Sequence, residues 1–207
     1  QGDITGKPGE IQLLPAVQGS HAKRIILAGF GKQGETSDSQ FREAVTAALN
    51  AVKGTVAKDA ALDLSDLAVK NRDATWIARQ IVELGEASIY TFDQYKSKDN
   101  QKKIHLKKLT LLNADSAAIK VGKAIADGMN YTRDLGNLPP NVCTPSYLAD
   151  EAKKLAKAHD KKLTLIVIDE KEMKELGMGA LLSVSGGSAQ PAKLIIMDYR
   201  GGKKGDK

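Results

Sequence analysis

The chain has 207 residues, of which 42% are apolar and 27% charged, and its formal net charge is +6. A chain of this length can bury roughly 70% of its unfolded surface, so we expect a substantial core. No run approaches the roughly 18 apolar residues that span a bilayer, and no signal peptide precedes the first strand, so we expect a cytoplasmic protein that does not cross a membrane. The single Cys143 excludes an internal disulfide.

The positive charge is concentrated in three groups of lysines. Runs of this kind usually form solvated surfaces, and we favour that interpretation over nucleic-acid contact. Aromatic residues make up only 4% of the chain, which argues against stacking platforms for single strands. The lysines are Lys102, Lys103, Lys107 and Lys108, then Lys153, Lys154, Lys157, Lys161 and Lys162, then Lys203, Lys204 and Lys207.

The first apolar runs, "EIQLLPA" and "AKRIILAGFG", predict two short buried strands that are neighbours in one sheet. The pattern then changes to helical spacing, with Ser37 or Asp38 as the N-cap and Gly54 as the terminator. "AALDLSDL" predicts a third strand. A second helix follows Asn71, and its apolar face contains Ile77, Ile81 and Leu84 with Trp76 beside it.

The middle of the chain predicts one more strand and the longest helix. "KKIHLKKLTLLN" alternates apolar residues, including Ile104 and Leu106, with lysines, which is typical of a strand with one wet face. The helix begins at Asp115 and ends at about Leu135. Its predicted apolar side consists of Ala118, Val121, Ile125, Met129 and Thr132.

The segment "RDLGNLPPNVCTP", Arg133 to Pro145, interrupts this regular pattern. Gly136 is expected to close the long helix in the left-handed conformation, and two prolines disfavour further helix. Thr144 and Pro145 then supply an N-cap and a first-turn proline. The segment contains no base, metal-ligand pair or activated nucleophile, so we interpret it as a hinge.

The last third predicts a helix, a strand, a short helix and a final strand. Leu148, Ala152 and Leu155 form the stripe of the first helix, and "KLTLIVID" is the buried strand. Asp169 caps a short helix that stops at Gly177, and the last strand runs over residues 193–199. This alternation predicts an α/β architecture with a sheet covered on both faces.

The pattern G-x-G-x-x-G occurs from Gly29 to Gly34, directly after a strand, and it raises the possibility of dinucleotide binding. Several polar residues separate it from the next helix. Asp59 and Asp63 lie at acceptable distances for a ribose contact, but Asp63 falls inside a predicted strand. We therefore favour a tight turn; saturable binding of NAD or ADP-ribose would support the alternative.

The remaining candidates for chemistry are isolated. His21, His105 and His159 are far apart in sequence and do not form a chelating motif. Cys143 with His159 could be a thiol and base, but a small buried role is favoured for the cysteine. Ser183 to Ser188, "SVSGGS", is not a nucleophile elbow, and a flexible turn is favoured over an anion site. We therefore assign no catalytic, cofactor-binding or metal-ligating residue.

Three stretches carry a resemblance to a known family. They are "GKPGEIQLLPAVQGSHAKRIILAGFGK" with "SIYTFDQYKSK", then "YTRDLGNLPPNVCTPSYLADEAKKLA", then "VIDEKEMKELGMGALLSVSGGSAQPAKLIIMDYRG". Together they resemble the bacterial branch of the leucyl aminopeptidase, or cytosol aminopeptidase, family over nearly the whole chain.

The resemblance implies a macro-domain-like N-terminal α/β domain over residues 1–114, without the family's first strand and helix. A connecting helix over 115–136 and the start of an α/β catalytic domain over 137–207 follow. It also implies a homo-hexamer that hydrolyses N-terminal residues of peptides, often leucine, with two divalent metals, manganese or zinc. The family's Gly-Lys-Gly-x-x-Phe-Asp-x-Gly-Gly and Asn-Thr-Asp-Ala-Glu-Gly-Arg elements are absent, so we expect this chain to be inactive alone. The alternative is a binding or assembly module with affinity for DNA.

Overall fold

The computed structural model describes residues 4–101, 103–159, 162–202 and 205. The chain divides into two compact units, Gln1–Asp134 and Leu135–Lys207. Hydrogen bonds among the described residues join the strands in three separate pairs, not in the single sheet expected from the sequence. The mixed α/β class is nevertheless as predicted, because helices alternate with strands along both units.

The described residues of the first unit contain four strands, two whole long helices and most of a third. The elements are β1 Ile11–Pro15, β2 Arg24–Ala28, α1 Asp38–Lys53, β3 Asp59–Asp63, α2 Ala74–Ile89, β4 Lys108–Leu112 and α3 Ser116–Asn137. Strands β1 and β2 pair antiparallel, whereas β3 and β4 pair parallel, with α2 in the connection between them. A short 3₁₀ turn covers Lys98–Asn100.

Local polar contacts fix the start of the first two helices. Ser37 and Gln40 form a capping box on α1: the Gln40 amide donates to Ser37 Oγ at 3.3 Å, and the Ser37 amide donates to Gln40 Oε1 at 3.0 Å. The Trp76 amide donates to the Asp73 carboxylate at 2.7 Å at the start of α2. These contacts satisfy backbone donors that a helix leaves free in its first turn.

The core of the first unit lies between α1, α2 and the neighbouring strands. Phe41 and Ile81 are fully buried, and Phe41 contacts the rings of both Phe30 and Trp76, with centroids 5.8 and 5.5 Å away. The predicted face of α2 is confirmed, because Ile77 and Ile81 are buried and Leu84 packs against the same cluster. The buried cluster consists of Phe41, Val45, Leu49, Val69, Ile77 and Ile81.

Helix α3 is the longest helix among the described residues, as predicted, but of its predicted apolar face only Ala118 is buried. The buried positions are Ala118, Gly122 and Ala126, whereas Val121, Ile125 and Met129 are 51%, 38% and 40% exposed. The reason is a close helix contact: a Cβ on Gly122 would lie 2.9 Å from the Arg79 carbonyl oxygen of α2. Small side chains therefore define the packed face.

The end of α3 also differs from the expectation. The helix continues to Asn137, so Gly136 lies within it, and Gly136 is not among the glycines of positive φ. The chain turns only at the prolines, where the Val142 and Cys143 amides both donate to the Pro139 carbonyl at 2.9 Å. Thr144 then caps the next helix through the Tyr147 amide, as predicted.

The described residues of the second unit contain the end of α3, three further helices and two strands. The elements are α4 Pro145–Ala158, β5 Leu163–Ile168, α5 Glu170–Glu175, α6 Gly179–Ser185 and β6 Leu194–Tyr199. β5 pairs antiparallel with β6. Asp169 caps α5 and Gly177 follows it with φ +73°, both as predicted, and Met173 of α5 is fully buried.

Candidate functional site

The glycine-rich segment Gly29–Gly34 is a turn that is packed against residues 6–10. The Gly29 amide donates to the Glu10 carbonyl at 2.8 Å, and the Gly31 amide donates to the Gly6 carbonyl at 2.8 Å. A Cβ at Gly29 would overlap the Lys7 carbonyl, so this glycine allows two backbone segments to touch. These amides are therefore occupied by the protein itself, which favours the structural turn over a phosphate cradle.

The geometry beyond this turn also differs from a dinucleotide site. Helix α1 begins four residues after Gly34, is capped by Ser37 and carries Asp38 in its first turn, where a carboxylate would repel a phosphate. Thr36, which is 3% exposed, closes the turn by donating from its hydroxyl to the Phe30 carbonyl at 2.6 Å. The role of this threonine is not visible in the local sequence, because its partner is a backbone carbonyl in a loop.

Asp59 and Asp63, the two candidate ribose ligands, lie at opposite ends of β3. Asp63 belongs to β3, as expected, but it is the last residue of the strand and not an internal one. Ser65 Oγ donates to its carboxylate at 2.7 Å and Asn113 Nδ2 donates at 2.8 Å. These donors hold the pKa of Asp63 below its ordinary value. These hydrogen bonds of Asp63 connect the carboxyl ends of β3 and β4.

The other carboxylates with a lowered pKa have structural partners as well. Hydrogen bonds from Thr5 lower the pKa of Glu10, and the Arg72 guanidinium lowers that of Asp38. The Glu172 amide at the start of α5 lowers the pKa of Asp169. Perturbed pKa values mark functional sites only when a cleft and a mechanism accompany them. Each of these three shifts is explained by a structural contact: a loop contact at Glu10, an ion pair at Asp38 and a helix cap at Asp169.

The histidines and the cysteine are not brought into a recognisable site. His21, His105 and His159 are exposed, and His159 ends α4 with its amide donating to Leu155 and Ala156 carbonyls. Cys143 is half-buried in the turn before α4. Among the residues that the structure describes, no group of three or more His, Cys, Asp or Glu side chains could hold a metal ion.

Residues Ser183 to Ser188 are partly helical, which the sequence did not predict. Ser183 and Ser185 belong to α6, and their hydroxyls donate to the Ala180 and Leu182 carbonyls at 2.7 and 3.1 Å. Back-bonding of this kind satisfies the serine hydroxyls within the helix. The segment is therefore neither a nucleophile elbow nor a wholly flexible turn.

The lysine groups are exposed wherever the structure describes them. On α4, Lys153 pairs with Asp150 at 2.9 Å and Lys154 pairs with Glu151 at 2.6 Å, so part of this positive charge is locally neutralised. Lys102, Lys161, Lys203, Lys204 and Lys207 lie outside the described residues. Within the described part of the chain, no helix is long and apolar enough to cross a membrane.

Two family profiles match the chain, in the same order as its two units. The profile described as "Cytosol aminopeptidase family, N-terminal domain" matches residues 1–99. The profile described as "Cytosol aminopeptidase family, catalytic domain" matches residues 130–207. Both matches therefore point to one family.

Curated relatives agree with these profiles. The cytosol aminopeptidase of Pseudomonas aeruginosa is 50% identical over 210 residues, which cover 99% of this chain and 42% of the relative. A probable cytosol aminopeptidase of Azotobacter vinelandii is 49% identical with the same two coverages, 99% and 42%. The chain thus spans less than half the length of these relatives.

Solved structures show the same similarity in three dimensions. A tomato leucine aminopeptidase mutant has a TM-score of 0.79 and 26% identity, over 97% of this chain and 40% of that one. The bottromycin maturation enzyme BotP in complex with Mn has a TM-score of 0.78 and 27% identity, over 94% of this chain and 40% of that one.

The α/β fold and the order of the two profile matches place the chain in a class of peptidases. The chain belongs to the cytosol aminopeptidase family, which confirms the resemblance seen in its sequence.

Proposed function

We propose that these 207 residues are the amino-terminal part of a leucyl aminopeptidase that hydrolyses N-terminal residues, often leucine, from peptides. The observation that carries the proposal is the succession of the two family profiles over residues 1–99 and 130–207. It is supported by relatives at about half identity that are named cytosol aminopeptidases. The same proposal includes the division of the chain into an amino-terminal domain, a connecting helix and the start of a catalytic domain, at residues 1–114, 115–136 and 137–207. It also includes a homo-hexamer and a cytoplasmic location.

The parent enzyme is proposed to use two divalent metals, manganese or zinc, which would activate a water and polarise the scissile carbonyl. A neighbour in fold was solved in complex with Mn, which supports metal dependence. The described residues of this chain offer no cluster of donor side chains that fits such a centre. We propose that the metal ligands and the catalytic residues lie outside residues 1–207, because the two family motifs that carry them are absent from this sequence. No step of the reaction is therefore assigned to this chain.

The experiment compares two proteins, the 207-residue chain and the complete gene product, with leucine p-nitroanilide and added manganese. We expect turnover from the complete protein, loss of that turnover on chelation, and no turnover from the chain above the buffer blank. Turnover by the 207-residue chain would overturn the placement of the catalytic residues. A complete protein that cleaves no N-terminal leucine with either metal would overturn the proposed activity.

A second candidate function is a binding or assembly module with affinity for DNA. It is favoured by the net charge of +6 and by the exposed Lys103, Lys107 and Lys108. Contacts to phosphates release counterions, so affinity for duplex DNA should fall steeply with salt. Titration of the chain with a labelled duplex at several salt concentrations tests this; no binding at low salt, or binding indifferent to salt, would exclude it.

A further inference from the structure

Helix α3 has an exposed row of uncharged residues on the side away from its buried positions. The packed side is defined by Ala118, Gly122 and Ala126. The exposed row follows at alternating spacings of four and three residues, which places it along one side of the helix. We call this row the α3 face; it consists of Ala117, Val121, Ala124, Gly128 and Tyr131, all of them exposed.

The α3 face is small in its middle and has large apolar side chains on both sides of the middle. Val121 is 51% exposed and Tyr131 is 38% exposed, and Ile125 beside the row is 38% exposed. Gly128 lies open, since no atom is within 4 Å of a Cβ built on it, and Ala124 precedes it by about one turn. Exposed apolar side chains in a row indicate an interaction surface. The small middle allows a second helix to approach closely, and spacings of three and four are those of paired helices.

Charged residues follow one edge of the α3 face at intervals of seven. Lys120 lies near the start of the face, Asp127 near its middle and Asp134 just beyond its end. Asp127 pairs with Lys123 at 2.9 Å. Lys120 and Asp134 have no ion-pair partner in the part of the chain that the structure describes, although Asp134 accepts a hydrogen bond from the Tyr90 hydroxyl at 2.8 Å. The edge is therefore positive at its amino-terminal end and negative at its carboxyl-terminal end.

We propose that the α3 face docks against the α3 face of a second copy of this chain, with the two helices antiparallel about a two-fold axis. The charges along the edge select this direction, because parallel helices would bring like charges together. Antiparallel helices set Lys120 of each copy opposite Asp134 of the other. Asp127 then faces its own counterpart at the axis, where Lys123 of each copy already neutralises it.

The same antiparallel register also matches the sizes of the facing side chains. It sets Ala124 opposite Gly128 of the second copy, and Val121 opposite Tyr131. Small residues thus meet at the centre, large apolar residues pack on both sides of it, and the two Ile125 side chains meet beside the axis. Charge, size and hydrophobicity therefore indicate one register.

The length of the α3 face sets the strength of this contact. Residues 117–131 cover about four turns, or roughly 21 Å. A pair of helices of this length buries less than the roughly 1,200 Å² of a standard interface, so this contact alone gives a weak, concentration-dependent association. The proposal names one contact of the homo-oligomer that the proposed function includes, and it rests on that part of the proposed function.

Disulfide cross-linking tests the register in the complete protein, in a background where its native cysteines, Cys143 included, are replaced by serine. The Ala124→Cys protein is co-expressed with a tagged Gly128→Cys protein and oxidised. We expect mixed disulfide dimers, because these two positions face each other. Ala117→Cys is the matched control on the same face: antiparallel helices hold the two copies of residue 117 roughly 27 Å apart, so it should not cross-link to itself. Absence of mixed dimers, or self-cross-linking at residue 117, would overturn the proposal.

Charge exchange, measured by sedimentation equilibrium, gives an independent readout. Lys120→Glu and Asp134→Lys should each weaken self-association by about 10-fold or more, because each sets like charges opposite each other. The double variant should return the dissociation constant to within about threefold of that of the unchanged protein. Loss of the Tyr90 contact at Asp134 would not be repaired by a change at Lys120, so the rescue separates docking from stability. Unchanged association in the single variants, or no rescue in the double variant, refutes the docking.

These outcomes are distinguishable from those of the peptidase assay. A complete protein that cleaves N-terminal leucine and sediments as an oligomer without the α3 cross-link would overturn this contact alone. A cross-linked protein without peptidase activity would overturn the proposed activity alone. A monomer in which Ala124→Cys resists alkylation would place another segment on the α3 face and overturn the docking of a second copy.

Discussion

Replacing Gly122 of α3 by alanine should destabilise the first unit, because α3 touches α2 at this residue. An added Cβ would lie 2.9 Å from the carbonyl oxygen of Arg79, 3.0 Å from Cβ of Val82 and 3.2 Å from Cα of Arg79. Backbone atoms within a helix cannot rotate away as a flexible side chain can. The two helices would therefore have to separate.

The size of the effect follows from two opposing contributions. Overpacking a close contact costs about 2 kcal/mol, and alanine in place of glycine inside a helix gains about 1 kcal/mol. We expect Gly122→Ala to lower the free energy of unfolding by about 1 kcal/mol. Gly128 lies on the same helix with no atom within 4 Å of its added Cβ. Gly128→Ala should keep only the gain and raise the free energy of unfolding by about 1 kcal/mol.

Urea unfolding followed by the fluorescence of Trp76 measures both variants, because Trp76 is the single tryptophan and packs against the core of the first unit. The two midpoints should move in opposite directions from that of the unchanged protein. Equal shifts of the same sign would refute the packing of α3 on α2 through Gly122, since the two substitutions would then differ in no contact.

Substitutions at three further positions test contacts elsewhere. Met173→Ala should lower the free energy of unfolding by about 2–5 kcal/mol because Met173 is fully buried, whereas Met173→Leu should lower it by less than about 1.5 kcal/mol. Thermal unfolding followed by circular dichroism compares the two variants. Ser37→Ala removes the capping box of α1 and should lower the free energy of unfolding, measured with urea, by about 1 kcal/mol. An unchanged free energy of unfolding would contradict a stabilising role for this cap. Arg72 lowers the pKa of Asp38, so this carboxylate stabilises the fold above the ordinary aspartate pKa of about 3.9 and loses that effect as the pH falls through its folded value. Asp38→Asn should therefore flatten the acid side of the stability curve, and an unchanged curve would exclude the contact.

Helix starts and stops were predictable because their chemistry is local. Ser37, Thr144 with Pro145, and Asp169 each satisfy backbone groups only a few residues away, and Gly177 supplies a positive φ directly after α5. A sequence shows all of these partners together. Gly136 had the same local signal and was predicted wrongly, because a glycine is permitted at a helix end without being obliged to end it.

The packed face of α3 was not predictable from hydrophobicity. Ala118 is buried as expected, but Val121, Ile125 and Met129 of the same predicted face are exposed. The structure buries Gly122 and Ala126 in their place. Close helix packing selects small side chains when backbones approach each other, as the contact of Gly122 with Arg79 shows. Whether a helix buries its large apolar face or its small-residue face depends on the partner helix, and the local sequence does not show that partner.

The candidate site shows the same division between local and distant information. The spacing between Gly34 and α1 already argued against dinucleotide binding. The decisive contacts, from residues 6–10 onto Gly29 and Gly31, join segments about 20 residues apart and emerge only on folding. That no residue of this chain is catalytic stays a prediction, and its basis is the absence of two family motifs from the sequence.

The length of strand β4 depends more on its pairing with β3 than on the alternation of apolar residues in its sequence. The alternation through Ile104 and Leu106 predicted a longer strand, yet β4 begins at Lys108, where its register with Asp59 of β3 begins. A strand extends only as far as a neighbour accepts its hydrogen bonds.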